Sequence, residues 1–221
     1  MSKAVQIRSR IRACLATVFV VPCLMAQTGV PSGEANRSTQ PVPSLQAVRY
    51  VPMTQKDRLR EYFRHMFNPE AVLRSAAGSG INQALNTPSE WHQGAEGYGR
   101  RFASSYGEHL ISSTVMYGTS AMLHEDNRYF RSGRTGFGPR LKYAIASSFL
   151  ARHDDGSRHF SISRFSSYAA AAVISRSWQP PSTNGPVNAT DAFVIAVGVE
   201  TGFNVAREFL PGIFHSRPPV Q

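Results

Sequence analysis

Three places in the sequence set a histidine beside carboxylates: His124-Glu125-Asp126, Glu108-His109 and His153-Asp154-Asp155. Such neighbours can ligate a divalent cation or exchange protons with a substrate. The candidate catalytic side chains are His124, Glu125 and Asp126, with Glu108 and, from a glycine-rich stretch, Glu96. Their spacing argues against a metal. Ligands on one helix face recur at i+3 or i+4, whereas residues 124–126 are adjacent and point apart. The plainer expectation is a helix C-terminus, where cationic His124 and Arg128 meet the negative end of the dipole and the carboxylates pair with arginines. Serine is plentiful, yet no Gly-x-Ser-x-Gly elbow occurs. His-Glu-x-x-His, P-loop and Gly-x-Gly-x-x-Gly motifs are also absent, and no cofactor is expected.

A fourth constellation is Glu200, Asn204 and Arg207, which share a helix face behind the apolar run 192–199. A carboxylate next to that run needs a buried partner. The expectation is a structural ion pair from Glu200 to Arg100 or Arg101.

The elements that must position these groups are helical. Lys56–Phe67 carries Leu59, Tyr62, Phe63, Met66 and Phe67 as one apolar stripe, with Thr54 and Asp57 as start signals and Asn68-Pro69 as a stop. Such a stripe ordinarily packs on its own domain. The competing reading is a basic amphipathic helix on a membrane surface, carried by Arg58, Arg60, Phe63, Arg64 and Phe67. Further helices are expected over Glu70–Leu85, Trp91–His124 (with a break between two helices at Gly94–Gly99 as the alternative), Arg140–Ala151, Arg164–Trp178, and from Thr190 or Asp191 to Leu210. The glycines and serines of 94–120 suggest close helix–helix approach. Asp154-Asp155-Gly156 signals a turn, and a short hairpin is expected near 152–162. The fold class is all-α, a small-residue-rich helical bundle over residues 54–214, followed by an unstructured tail at 215–221.

Residues 1–26 read as a cleavable secretory signal: Lys3, Arg8, Arg10 and Arg12, then an uncharged run from Ala13 to Met25, then Ala26 at the cut. Residues 27–53 are rich in Pro, Ser, Gln and Gly and read as a flexible tether. Both cysteines, Cys14 and Cys23, fall inside the signal. A processed chain would hold no disulfide, cysteine nucleophile or thiolate metal site. The whole sequence has 24 basic and 14 acidic residues, net +10; without the four basic signal residues the balance is 20 to 14, or +6. No basic run marks a nucleic-acid patch, so the expected partners are an anionic membrane surface or another envelope protein, and no nucleic acid.

Trp91-His-Gln-Gly-Ala-Glu-Gly-Tyr-Gly-Arg-Arg-Phe102 and Leu123-His-Glu-Asp-Asn-Arg-Tyr-Phe-Arg131 resemble a family of exported bacterial proteins without an assigned activity. Some of its members carry a preceding carboxypeptidase-regulatory-like domain. The pattern of that family has Gly and Pro where this chain has His92 and Asn127. The resemblance runs from about Trp91 to Pro211. It implies export and one helical domain, and no catalytic role.

Two functions are expected from these observations. One is a periplasmic or outer-envelope protein with a structural or binding role at a membrane surface, whose small-residue faces could also pack against a membrane partner. The other is a metal-dependent or acid/base hydrolase of an envelope substrate, built on the His/acid clusters.

Overall fold

The computed structural model describes residues 49–213 and 216–219. The expected signal, most of the tether and the ends of the tail lie outside those residues. The fold is a helical bundle with one two-stranded hairpin.

Helix α1, Gln55–Met66, begins in a capping box. The Thr54 hydroxyl accepts the Asp57 N–H at 3.2 Å, and the Asp57 carboxylate accepts the Thr54 N–H at 3.3 Å. Asn68 caps α2, Pro69–Ala84, by accepting the Glu70 N–H, and Pro69 occupies the first turn where its missing donor costs nothing. A short 3-10 turn, Ser89–Trp91, leads to α3, Ala95–Leu123. The helix runs unbroken through Gly97 and Gly99, so the alternative of a break at Gly94–Gly99 is not what forms; the helix begins just after Gly94. His92 there takes φ 54° and ψ −173°, a region open mainly to glycine.

Helix α4 is Phe137–Ser147, and strands β1, Leu150–Arg152, and β2, Arg158–Phe160, pair antiparallel with Ala151 opposite His159. The Asp155-Gly156 turn closes them, with Gly156 at φ 83°. Helix α5, Ile162–Ile174, ends in a 3-10 turn, Ser175–Ser177. Helix α6 spans Pro186–Phe209. It starts ahead of the expected Thr190 or Asp191, because Gly185-Pro186 supplies the N-terminus and Thr190 already lies inside, its hydroxyl donating to the Pro186 carbonyl.

Helix α3 is the pillar, packing most extensively on α5, then on α2 and α1, while α6 packs on α4 and α5. Tyr50 stands edge-on to Phe130, and Arg217 forms a parallel bridge with Phe130, so this part of the tail is structured.

Polarity is inverted relative to an ordinary bundle. Among the described residues, the sequestered apolar side chains are five alanines, Phe130, Pro88 and Pro219. Beside them lie eleven sequestered serines together with Arg58, Arg101, Arg164, Glu125, Asp126, Asn204 and Glu208. Many large apolar side chains face outward, among them Phe67, Leu73, Phe137 and Val173.

The expectation that glycines bring helices together is largely corrected. A Cβ at Gly78, Gly80, Gly99, Gly118, Gly198 or Gly202 would meet nothing within 4 Å. Among the described helical glycines only Gly97 is cramped: a Cβ there would lie 2.3 Å from the His92 carbonyl oxygen and 2.5 Å from that of Trp91. Serines, not glycines, are the small residues sequestered among the helices.

Candidate functional site

The five candidate catalytic residues do not converge. His124 is the C-cap of α3 in the left-handed region, exposed, with Nδ1 2.8 Å from Asp154. Glu125 is fully buried and spends its carboxylate on the start of α5. It accepts the Ile162 and Ser163 N–H groups, both at 3.0 Å, and the Ser163 hydroxyl. An anion at that position meets two orphan donors and the positive end of the helix dipole. Asp126 is buried against Arg128, whose Nε and Nη2 lie at 2.9 and 2.6 Å, and accepts the Tyr50 hydroxyl. Glu96 is exposed on α3 and pairs with Arg100 one turn on. Glu108 pairs with Arg176, although burial pushes its carboxyl upward. Among the described residues no group of three or more His, Cys, Asp or Glu could hold a metal ion.

The expected pairing of Glu200 with Arg100 or Arg101 is replaced by another. Glu200 lies between Arg207 at 3.1 Å and Arg74 at 3.2 Å, and Glu70 bridges the same two arginines. Burial alone would raise the Glu200 carboxyl, but Arg207 and Arg74 outweigh it and hold it at about 2. Arg101 needs no acid. Fully buried, it donates to the carbonyl oxygens of Thr87, Pro88 and His92 and to Gln83, tying the loop before α3. Arg100 stays on the surface.

The four-charge network borders a small cavity of about 20 Å³, lined also by His65, Asn68 and His109. The two imidazole rings lie 5.1 Å apart. His109 Nε2 donates to the His65 carbonyl, and His65 Nδ1 lies 3.1 Å from the Ser113 hydroxyl. The volume admits a single water and no substrate.

The membrane-surface candidates on α1 divide. Arg58 is 3% exposed and belongs to the interior. It donates to the Ser120 and Glu125 carbonyls and pairs with Asp154, so its place in a surface set is corrected. Tyr62 turns toward α3, stacking on Tyr117 with its hydroxyl beside Thr114. Phe63 and Phe67 remain 51% and 64% exposed, Leu59 joins them at the same i+4 spacing, and Arg60 and Arg64 are exposed alongside.

Glu208 escaped the sequence reading. Sequestered near the end of α6, it accepts the Tyr129 hydroxyl, the Ser132 N–H and hydroxyl, and Arg140 Nε. Its one signal was a lone acid before Phe209-Leu210. Arg164 was missed as well, and its guanidinium satisfies the carbonyls of Ser147, Ser148 and Asn127. No helix among the described residues is long and apolar enough to cross a membrane. No protein-family model, no curated protein and no solved structure matches the chain.

Proposed function

We propose that this chain is an exported envelope protein with a structural or binding role, seated on an anionic membrane surface through α1. One observation carries the reading: Leu59, Phe63 and Phe67 form an outward apolar row bordered by the exposed cations Lys56, Arg60 and Arg64. An apolar row that the protein's own core leaves uncovered gains by entering the acyl boundary, and the flanking cations gain from acidic headgroups. The secretory signal read in residues 1–26 supports export. A hydrolase has less support, because Glu125, Asp126 and Glu108 are already committed to a helix start and to arginines.

The test is co-sedimentation of the full chain with vesicles. Binding to vesicles of phosphatidylglycerol in phosphatidylcholine at low salt, weaker with phosphatidylcholine alone, is the expected result. A chain that stays in the supernatant with both overturns the reading. For export, N-terminal sequencing of the protein recovered from the envelope fraction should begin near Gln27. An intact Met1 in the cytosolic fraction overturns it.

A further inference from the structure

Arg152 and Arg158 face each other across the hairpin, so both side chains stand on one face of the two strands. Arg158 lies over the Tyr143 ring at 4.7 Å. Arg134, from the loop ahead of α4, lies over the same ring at 5.6 Å. Arg152 and Arg128 lie over Phe130 at 5.6 and 5.4 Å. Four guanidiniums therefore gather around two aromatic rings, and Asp126, Arg128, Arg152, Arg158 and Tyr143 line one small cavity.

The charges do not balance. Asp126 is the one carboxylate lining that cavity, and Arg128 and Tyr50 engage it. Among the described residues Arg134, Arg152 and Arg158 form no salt bridge. Arg152 donates to the Gly156 carbonyl and Arg158 to the Ser147 hydroxyl, which leaves most of their five donors each for another acceptor. Burial pushes the Arg158 guanidinium pKa down, Tyr143 opposes that, and the neighbouring charges of Arg152 and Arg134 push it down again. Like charges assembled in a partly dry site repel, and the stacked rings hold them there. A bound anion would relieve the repulsion.

We propose that Arg134, Arg152 and Arg158 form a binding site for a phosphate group. Planar guanidinium forks match phosphate oxygens two at a time, which suits a tetrahedral dianion or monoanion better than chloride. The enclosed volume, about 10 Å³, takes a water but no phosphate. The anion would sit outside it, between Arg158 and the exposed Arg134, which does not line the cavity but shares the Tyr143 ring with Arg158. The same chemistry is offered by free inorganic phosphate and by a phospholipid headgroup. This site rests on charge and not on the apolar row of α1, so the two can fail separately.

The full chain, purified in mild detergent, is titrated with inorganic phosphate by calorimetry at fixed ionic strength. It is also sedimented with phosphatidylcholine vesicles with and without phosphatidic acid. Saturable phosphate binding is expected, weakened tenfold or more by Arg158→Gln and by Arg134→Gln, and unchanged by Arg100→Gln. Arg134 is exposed, so its variant keeps the fold and the test stands even if Arg158→Gln unfolds. Phosphatidic acid binding that falls in the same two variants assigns a lipid headgroup. Phosphatidic acid binding that both variants leave unchanged, alongside saturable phosphate binding, assigns the free anion. Absent saturation, or equal weakening by Arg100→Gln, overturns the site. Loss of vesicle binding with intact phosphate binding would instead overturn the membrane reading.

Discussion

The Glu125 carboxylate accepts the backbone N–H of Ser163 at 3.0 Å, so a residue just past the end of α3 caps the start of α5. The same residue's carbonyl accepts from buried Arg58 of α1 at 2.6 Å. Three helices meet at one glutamate. Glu125→Ala leaves the Ser163 N–H and hydroxyl, both buried, and the part-buried Ile162 N–H without their acceptor, and a destabilisation of about 3 kcal/mol is expected from the usual cost of such orphans. Glu125→Gln keeps the shape and one oxygen and is expected to lose about half as much. Chemical denaturation of both variants checks the order. A Glu125→Ala protein as stable as the parent would refute the cap.

The Glu200 carboxyl, depressed from its ordinary 4.5 to about 2 by Arg207 and Arg74, predicts an acid limb. A depressed acid favours folding at any pH above its unfolded value. That contribution drains away as pH falls from about 4.5 through about 2. The size is on the order of 2 to 3 kcal/mol. Burial also lowers the His109 imidazole, so that group loses stability in a higher window, below its ordinary 6.5. Glu200→Gln should therefore flatten unfolding free energy between pH 4.5 and 2 and leave the shape above pH 5 intact. An unchanged acid limb in thermal melts across that window would refute the assignment.

Two glycine-related substitutions should act in opposite ways to intuition. Gly118 lies inside α3 with nothing within 4 Å of a Cβ, so Gly118→Ala should stabilise by about 0.5 to 1 kcal/mol. His92 holds a backbone region that costs a side chain roughly 1 to 3 kcal/mol, so His92→Gly should also stabilise, less glycine's own entropy cost. Gly97→Ala is the contrast, because its Cβ would strike the His92 and Trp91 carbonyls. Melting temperatures of the three variants decide the matter, and a stabilised Gly97→Ala would show the loop to be looser than described.

Local signals carried the fold well. The Thr54/Asp57 box, Asn68-Pro69 and Asp155-Gly156 announce their elements because caps and turns are satisfied within a few residues. Partner choice was less legible. Glu200 does need a cation, but Arg74 and Arg100 look alike in one dimension, and only the three-dimensional reach of the Arg74 side chain from α2 to α6 decides between them. Arg58 misled for a related reason. Its cationic neighbours Lys56, Arg60 and Arg64 lie in solvent, while its own guanidinium replaces water with the Ser120 and Glu125 carbonyls. Of the glycines and serines expected at close helix contacts, the serines are the ones sequestered, because both residues are small and only geometry shows which one faces a neighbour.

Helix α1 gives a last prediction, which separates surface binding from folding. Phe63 and Phe67 are more than half exposed, so replacing both by serine removes little packing and should shift stability by less than about 1 kcal/mol. The same pair would bury its rings in the acyl boundary of a bilayer. At about 25 cal/mol per Å² of apolar surface, losing two half-covered rings should weaken vesicle partition by roughly tenfold or more. Tyr62→Phe supplies the opposite control, since it removes only a solvent-exposed hydroxyl contact with Thr114 of α3, leaves the apolar row intact and should not alter partition. If Phe63→Ser with Phe67→Ser partitions like the parent, the apolar row of α1 does not face lipid. The exposed rings would then serve a protein partner, and high salt should leave that association intact.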